Sequence, residues 1–372
     1  MIKVMHYISK MNRGGQETFI MNLYRNIDRD KVQFEFLCTE PGIGDYDAEI
    51  KELGGKIFHI DLNCIKGKIK QLDNARRLYK YLKKRTQEIQ VFHIHTQHAM
   101  EAFFSSLAAK LAGVKVVIVH SHNTSSLFHV KAHKIFKYLL NVMPIERFAC
   151  SEAAGKWMFG NHKFRIINNG IDVDKFKFEQ SVRKKIREKM GWKDNYIIGH
   201  VGRFNAQKNH QFLIEIFNEV KNYIPEAKLI LVGTGELQEN IRKHVEKLKL
   251  EDKVEFLGMR EDVNRLYQGM DIMCFPSLFE GLPVVLVEAQ ESGLSCVISE
   301  TITKEIDITK LLYRVSLESD SKVWCNKICE LKKYMLDRSD MTTDIRNSGY
   351  DMKEEAKEIQ KIYREKVSSN DK

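Results

Sequence analysis

Short apolar runs alternate with longer stretches of helical periodicity, and the alternation runs through twice. Runs at 3–8, 34–38, 56–59, 91–95, 116–120 and 145–149 read as strands, with helical patterns such as 16–25 and 152–159 between them. Strands of that kind belong in a parallel sheet, whose crossovers need a helix each. Asn168-Asn169-Gly170 is a strong turn signal, and the series then restarts at 196–201, 228–232, 254–257 and 272–275, with helical patterns at 210–223 and 236–248. The pattern predicts an α/β protein of two Rossmann-like, doubly wound domains facing a central cleft, with ligands at the carboxyl ends of the strands. The expected boundaries are 1–180, then a polar joining segment around 172–195, then 195–341, and a charged helical segment 342–372.

Length agrees with two domains, because 372 residues exceed what one core usually organises. No run of eighteen apolar residues is present, and Lys3 interrupts the apolar N-terminus, which reads as a first strand rather than a secretory signal. Seven cysteines without a Cys-x-x-Cys pair point to a reducing cytoplasm. The net charge of +10 lies entirely within residues 1–180. Lys66, Lys68, Lys70, Arg76, Arg77, Lys80, Lys83, Lys84 and Arg85 face only Asp73, while Ile65, Ile69, Leu72, Leu78 and Leu82 supply an apolar side. A basic amphipathic face over 65–85 suits an anionic membrane surface and a peripheral location on the inner face of the cell membrane; a merely solvated helix face is the alternative. No basic run interleaved with stacking aromatics is found, so nucleic acid is not expected as a partner.

The chemistry concentrates near residue 280. Ile272 to Phe275 reads as a strand, Pro276 and Gly281 punctuate a loop, and Pro283 stands where a proline opens a helix. Unpaired N–H groups at such a helix start favour an anion, with Gly281 and Leu282 as backbone donors and Glu280 at the mouth. Glu288, one to two turns into the helix, suits a diol such as ribose. Arg203 and Lys208, five apart on a loop between strand and helix, can stabilise charge growing on a leaving diphosphate.

The string Phe-Pro-Ser-x-x-Glu280-Gly-Leu-Pro followed by Glu288-Ala resembles the signature of the retaining GT-B glycosyltransferases of family 4. Gly14-Gly15-Gln16-Glu17 is similar to the family's glycine loop, Val201-Gly202-Arg203 with Lys208-Asn209 to its diphosphate-binding pair, and Phe256-Leu257-Gly258 precedes its nucleobase loop, here Met259 and Arg260. The nearest subgroup is that of bacterial exopolysaccharide and capsule enzymes. The resemblance implies a GT-B fold and a metal-independent, cofactor-free, retaining transfer of a hexose from a nucleotide sugar, UDP-linked by expectation, to a lipid-linked saccharide acceptor. It implies catalytic roles for Glu280 and for a histidine at the end of an N-terminal-domain strand, best matched by His120, with His122 and Gly14 as reserve contacts. Gly15 joins the diphosphate donors, and the C-terminal helix crosses back to the first domain. Glu280 either orients the donor sugar or attacks it to form a covalent intermediate.

Other constellations are weaker. Asp45-x-Asp47 and Asp172-x-Asp174 have the spacing of a metal-diphosphate pair but lack matching surroundings. His93-x-His95-x-x-His98 has Gln97 where zinc hydrolases have aspartate, so no metal site is expected. A non-catalytic sugar-nucleotide-binding partner of another transferase, and a sugar-nucleotide epimerase on the same fold, are the rival functions.

Overall fold

A computed structural model describes residues 1–62, 70–123, 130–333 and 338–369. The chain divides into two compact units, residues 1–170 with 351–372, and residues 171–350. The division falls ten residues before the boundary expected at 180, and the returning segment begins at Asp351 rather than at 342.

The first unit holds seven parallel strands: β1 (Ile2–Ile8), β2 (Val32–Cys38), β3 (Lys56–His59), β4 (Val91–Thr96), β5 (Val116–Ser121), β6 (Glu146–Ala149) and β7 (Arg165–Ile166), in the order β3-β2-β1-β4-β5-β6-β7. The order reverses between β1 and β4, which puts the switch point at their carboxyl ends. β1, β4 and β5 are buried along nearly their whole length, which accounts for their predominantly apolar residues. Helix Ala99–Ala112 stops where Gly113 turns left-handed at φ 92°, and Ser151 caps Glu152–Phe159 by accepting from the Ala154 N–H. The returning helix Met352–Ser369 packs on helix Gly15–Asn26 and sends Met352, Ala356, Ile359, Ile362 and Tyr363 into the core beside Phe34 and Phe36.

The second unit repeats the plan with β8 (Tyr196–Val201), β9 (Ala227–Val232), β10 (Val254–Gly258), β11 (Ile272–Phe275), β12 (Cys296–Ser299) and β13 (Leu312–Val315), in the order β10-β9-β8-β11-β12-β13, all parallel. Three features depart from the sequence reading. β12 and β13 extend the sheet beyond the signature stretch. The polar stretch read as a joining segment contains a helix, Gln180–Met190, which belongs to this unit. It docks through charge: Arg183 and Arg187 reach the buried carboxylate of Asp271 at 2.5 and 3.0 Å. The third is Pro283, which is the N-cap rather than the first helical residue of Val284–Glu291. No helix among the described residues is long and apolar enough to cross a membrane.

Candidate functional site

In the second unit, the loops leaving β8, β9 and β11 are laced together at the carboxyl edge of the sheet. Gly202 donates its N–H to Val232 O and Phe204 to Thr234 O. Gly233 adopts φ 130°, and a Cβ there would lie 2.2 Å from Gly202 O; at Gly235 it would lie 2.4 Å from Phe204 O. Only glycine permits that approach. Asn205 caps a short turn by accepting from the Lys208 N–H, and Asn209, left-handed at φ 54°, opens helix His210–Tyr223.

This backbone delivers Lys208 to Glu280. Lys208 Nζ lies 2.7 Å from Glu280 Oε1, with the two side chains 14% and 8% exposed. Gln207 Nε2 donates to Glu280 Oε2 at 3.0 Å and to Phe279 O, while Leu278 N–H donates to Gln207 O. Lys208 also sits 4.6 Å above the Phe275 ring. One carboxylate is thereby fixed by an ammonium and an amide, with the start of helix Val284–Glu291, and hence Gly281 and Leu282, following directly in the chain.

Arg203 leaves the same loop but is not joined to Lys208. Its side chain is 71% exposed and pairs with Glu236 at 3.2 Å, a surface contact worth about 0–1 kcal/mol and easily exchanged for another anion. Glu288 is partly buried and accepts from Tyr267 Oη at 3.0 Å. Burial raises its carboxyl from the ordinary 4.5 to about 7, against the opposing pull of the Tyr267 hydrogen bond. Met259 is exposed beyond β10, and Arg260 is tied to Asp262 at 2.7 Å.

In the first unit, Gly14 is the extended N-cap of helix Gly15–Asn26, without a side-chain cap, and nothing lies within 4 Å of where a Gly15 Cβ would stand. The histidine expected to open from a strand end does not do so. His120 is 0% exposed, and it stacks on His122 with ring centroids 4.1 Å apart. His6, His93 and His95 complete a cluster of five imidazoles, their pKa values lowered by burial. Both nitrogens of His120 are buried and so is Nδ1 of His122, although the His122 side chain as a whole is partly exposed.

Residues 13–175 match the family model described as Glycosyltransferase Family 4, and residues 182–310 that described as Glycosyl transferases group 1. The chain is 37% identical over 338 residues to the Bacillus subtilis glycosyltransferase named EpsF, covering 88% of this chain and 86% of that one. The chain belongs to the family 4 glycosyltransferases. It is also 27% identical over 317 residues to the Escherichia coli UDP-Gal:alpha-D-GlcNAc-diphosphoundecaprenol alpha-1,3-galactosyltransferase, covering 80% of this chain and 79% of that one. It is 25% identical over 376 residues to the capsular polysaccharide biosynthesis glycosyltransferase CapH of Staphylococcus aureus, covering 95% and 98%. Among solved structures, Anabaena HepE in complex with UDP superposes with a TM-score of 0.79 at 18% identity, covering 98% of this chain and all of that one. The structure of WaaG, a glycosyltransferase of lipopolysaccharide biosynthesis, gives 0.70 at 14%, covering 98% and 99%. These likenesses show the GT-B fold.

Within this glycosyltransferase the sequence reading missed Gln207, Tyr267, Gly233 and Gly235. Gly233-Thr-Gly235 after a strand was a visible signal for close backbone approach; Tyr267 and Gln207 carried none, because their partners are 21 and 73 residues away. The Glu288 carboxyl has a consequence for stability. A carboxyl raised from 4.5 to about 7 holds its proton in the folded state over a window where the unfolded chain has lost it. Stability therefore falls as pH rises from about 4.5 to 7, by at most about 3 kcal/mol. Denaturation of Glu288→Gln should show a flatter pH dependence than the wild type across that window; parallel curves would contradict the shift.

Proposed function

We propose that this glycosyltransferase moves a hexose from a UDP-sugar to a lipid-linked saccharide in exopolysaccharide or capsule synthesis, with retention of configuration and without a metal ion. The observation that carries the reading is the Lys208–Glu280 pair at the carboxyl edge of the second sheet, held by Gln207 and followed directly by a helix start. As the bond to the departing phosphate breaks, negative charge grows on the diphosphate. Lys208 and the exposed guanidinium of Arg203 supply positive charge there, and the N–H groups at Gly281 and Leu282 add donors. Glu280, already held by Lys208 and Gln207, orients the donor sugar and its hydroxyls. Glu288 accepts from the ribose diol, taking over from Tyr267. The named activities of the E. coli and S. aureus relatives support the acceptor and pathway.

Nucleotide sugars incubated with the pure protein test this reading: slow release of the nucleoside diphosphate from one donor, undiminished by EDTA, is expected. Activity lost in EDTA and restored by manganese would overturn the metal-free reading. Glu288→Ala should weaken binding of the free nucleoside diphosphate by about 1–3 kcal/mol in calorimetry, the value of a charged hydrogen bond. Unchanged affinity would remove Glu288 from the ribose site.

We propose a membrane-facing surface on the first unit that differs in part from the 65–85 face. Ile65, Lys66, Lys68 and Ile69 lie outside the described residues, and Arg85 is committed internally, to Glu35 at 2.8 Å, to Glu88, and over the Phe58 ring at 4.0 Å. Arg76, Lys80, Lys83 and Lys84 remain exposed on helix Lys70–Lys83 and just after it. Helices Lys70–Lys83 and Val130–Asn141 both pack against helix Ala99–Ala112. Along the second runs an exposed apolar stripe, Ile135 (63%), Tyr138 (73%) and then Val142 (66%), beside exposed Lys131 and Lys134. Lysines next to an apolar stripe fit an anionic bilayer interface. Wild type is expected to sediment with anionic vesicles at low salt and to be released by added salt. Lys80, Lys83 and Lys84 changed to glutamate, or Ile135 and Tyr138 to serine, should lose sedimentation while donor hydrolysis persists; wild type that ignores anionic vesicles would return these faces to plain solvated surface.

A further inference from the structure

The five histidines of the first unit are brought together by strand register. His6 on β1 faces His93 on β4, and His95 faces His120 on β5. Alternation along each strand puts His93 and His95 on one side, and His122 follows β5 on the side of His120. The stack is continuous: His93 to His95 4.3 Å, His95 to His122 5.2 Å and His120 to His122 4.1 Å between centroids.

Neutral imidazole brings one donor and one acceptor nitrogen, so five rings bring ten sites. The described partners satisfy half of them. His6 Nδ1 meets His95 Nε2 at 2.8 Å, His95 Nδ1 meets His122 Nε2 at 2.9 Å, and His93 Nδ1 meets Tyr363 Oη at 2.8 Å. His6 Nε2, His93 Nε2, His122 Nδ1 and both nitrogens of the wholly buried His120 have no protein partner among the described residues. Buried polar atoms of that kind are costly and ask for an occupant. One ring nitrogen from each of His95, His120 and His122 lies within 4.8 Å of the other two. Three imidazoles around one tetrahedral metal stand about 3.4 Å apart, at metal–nitrogen distances of about 2.0–2.1 Å, so small side-chain shifts close the site.

We propose that His95, His120 and His122 bind a transition-metal ion of the zinc class, separately from the donor chemistry of the second unit. With His95 Nδ1 on the metal, its Nε2 carries the proton and donates to His6 Nδ1, which orients the ring from behind. Phe19 packs beside two of the rings, its centroid 5.2 Å from that of His120 and 5.7 Å from that of His122. Of the five rings only that of His122 is more than marginally exposed, and the fourth position remains for water or an anion. The set differs from the His93, His95, His98 spacing considered in the sequence: His98 instead caps helix Ala99–Ala112.

The test uses the full-length, tag-free protein stripped with chelator, with cobalt(II) and zinc(II) as probes. One equivalent of cobalt should bind with the strong visible absorption of four- or five-coordinate geometry, and zinc should raise the melting temperature. X-ray absorption on zinc-loaded wild type should count three imidazoles. His122→Ala and His120→Phe should weaken binding at least 10-fold with circular dichroism unchanged, and His162→Ala, an exposed control, should not. Weak octahedral cobalt spectra, fewer than three imidazoles, or affinity indifferent to the His120 and His122 variants would overturn the site. The readout does not involve glycosyl transfer, so it fails or succeeds independently of the reading above.

Discussion

Lys208→Ala should lower turnover by about 10²–10³-fold, the usual loss when one preorganised charge is removed from a site where charge develops. The structure adds a second expectation. Because Glu280 is nearly buried beside Lys208, deleting the ammonium leaves a carboxylate without its counter-charge, a change that costs about 3–5 kcal/mol in comparable buried pairs. The variant should therefore also melt earlier. Glu280→Gln should likewise lose turnover, and combining the two should cost less than the sum of the single losses, because the residues act as one unit. Full additivity in both melting and turnover would show that the pair is not coupled.

Gly233→Ala is the second large effect. At φ 130°, with Gly202 O 2.2 Å from the position of an added Cβ, alanine meets both backbone strain and a backbone clash. The neighbour is backbone of the loop that carries Arg203 and Lys208, so it cannot yield like a flexible side chain. Destabilisation of about 2–4 kcal/mol and loss of nucleotide affinity are expected together. Gly191→Ala is the comparison: its φ of 69° carries strain, but nothing lies within 4 Å, so it should cost less and leave nucleotide affinity alone. Equal effects at both positions would contradict the close-approach argument.

The sequence was most legible where burial on both faces made strands apolar throughout. β8 and β11 fall on the expected residues for that reason, and helix His210–Tyr223 does so through one apolar face, Leu213, Ile214, Phe217 and Val220. It was least legible where charge does the packing. Helix Gln180–Met190 buries only Ile186 and is held by Arg183 and Arg187 on Asp271, so its apolar periodicity is nearly absent. β12 and β13 went unread, and β13 carries Arg314 and is only partly buried. In the site, Glu280, Lys208 and Glu288 stood out in the sequence through the company they keep. The Lys208–Glu280 pairing was not visible, since 72 residues separate the partners. The histidine stack was hidden likewise: His6 is 89 residues from His95, and only sheet register joins them.

The central claim is that the Lys208–Glu280 pair serves transfer from a nucleotide sugar, and donor turnover by matched variants tests it most directly. Wild type and Glu280→Gln, both shown to be folded by circular dichroism, would be compared for nucleoside diphosphate release from a panel of UDP-sugars in the presence of EDTA. The account predicts release by wild type from at least one donor and a loss of about 10²-fold or more in Glu280→Gln, with free UDP still bound by both. Binding of UDP by both proteins, with equal release or none from any donor in either, would contradict it and leave a sugar-nucleotide-binding partner as the better description.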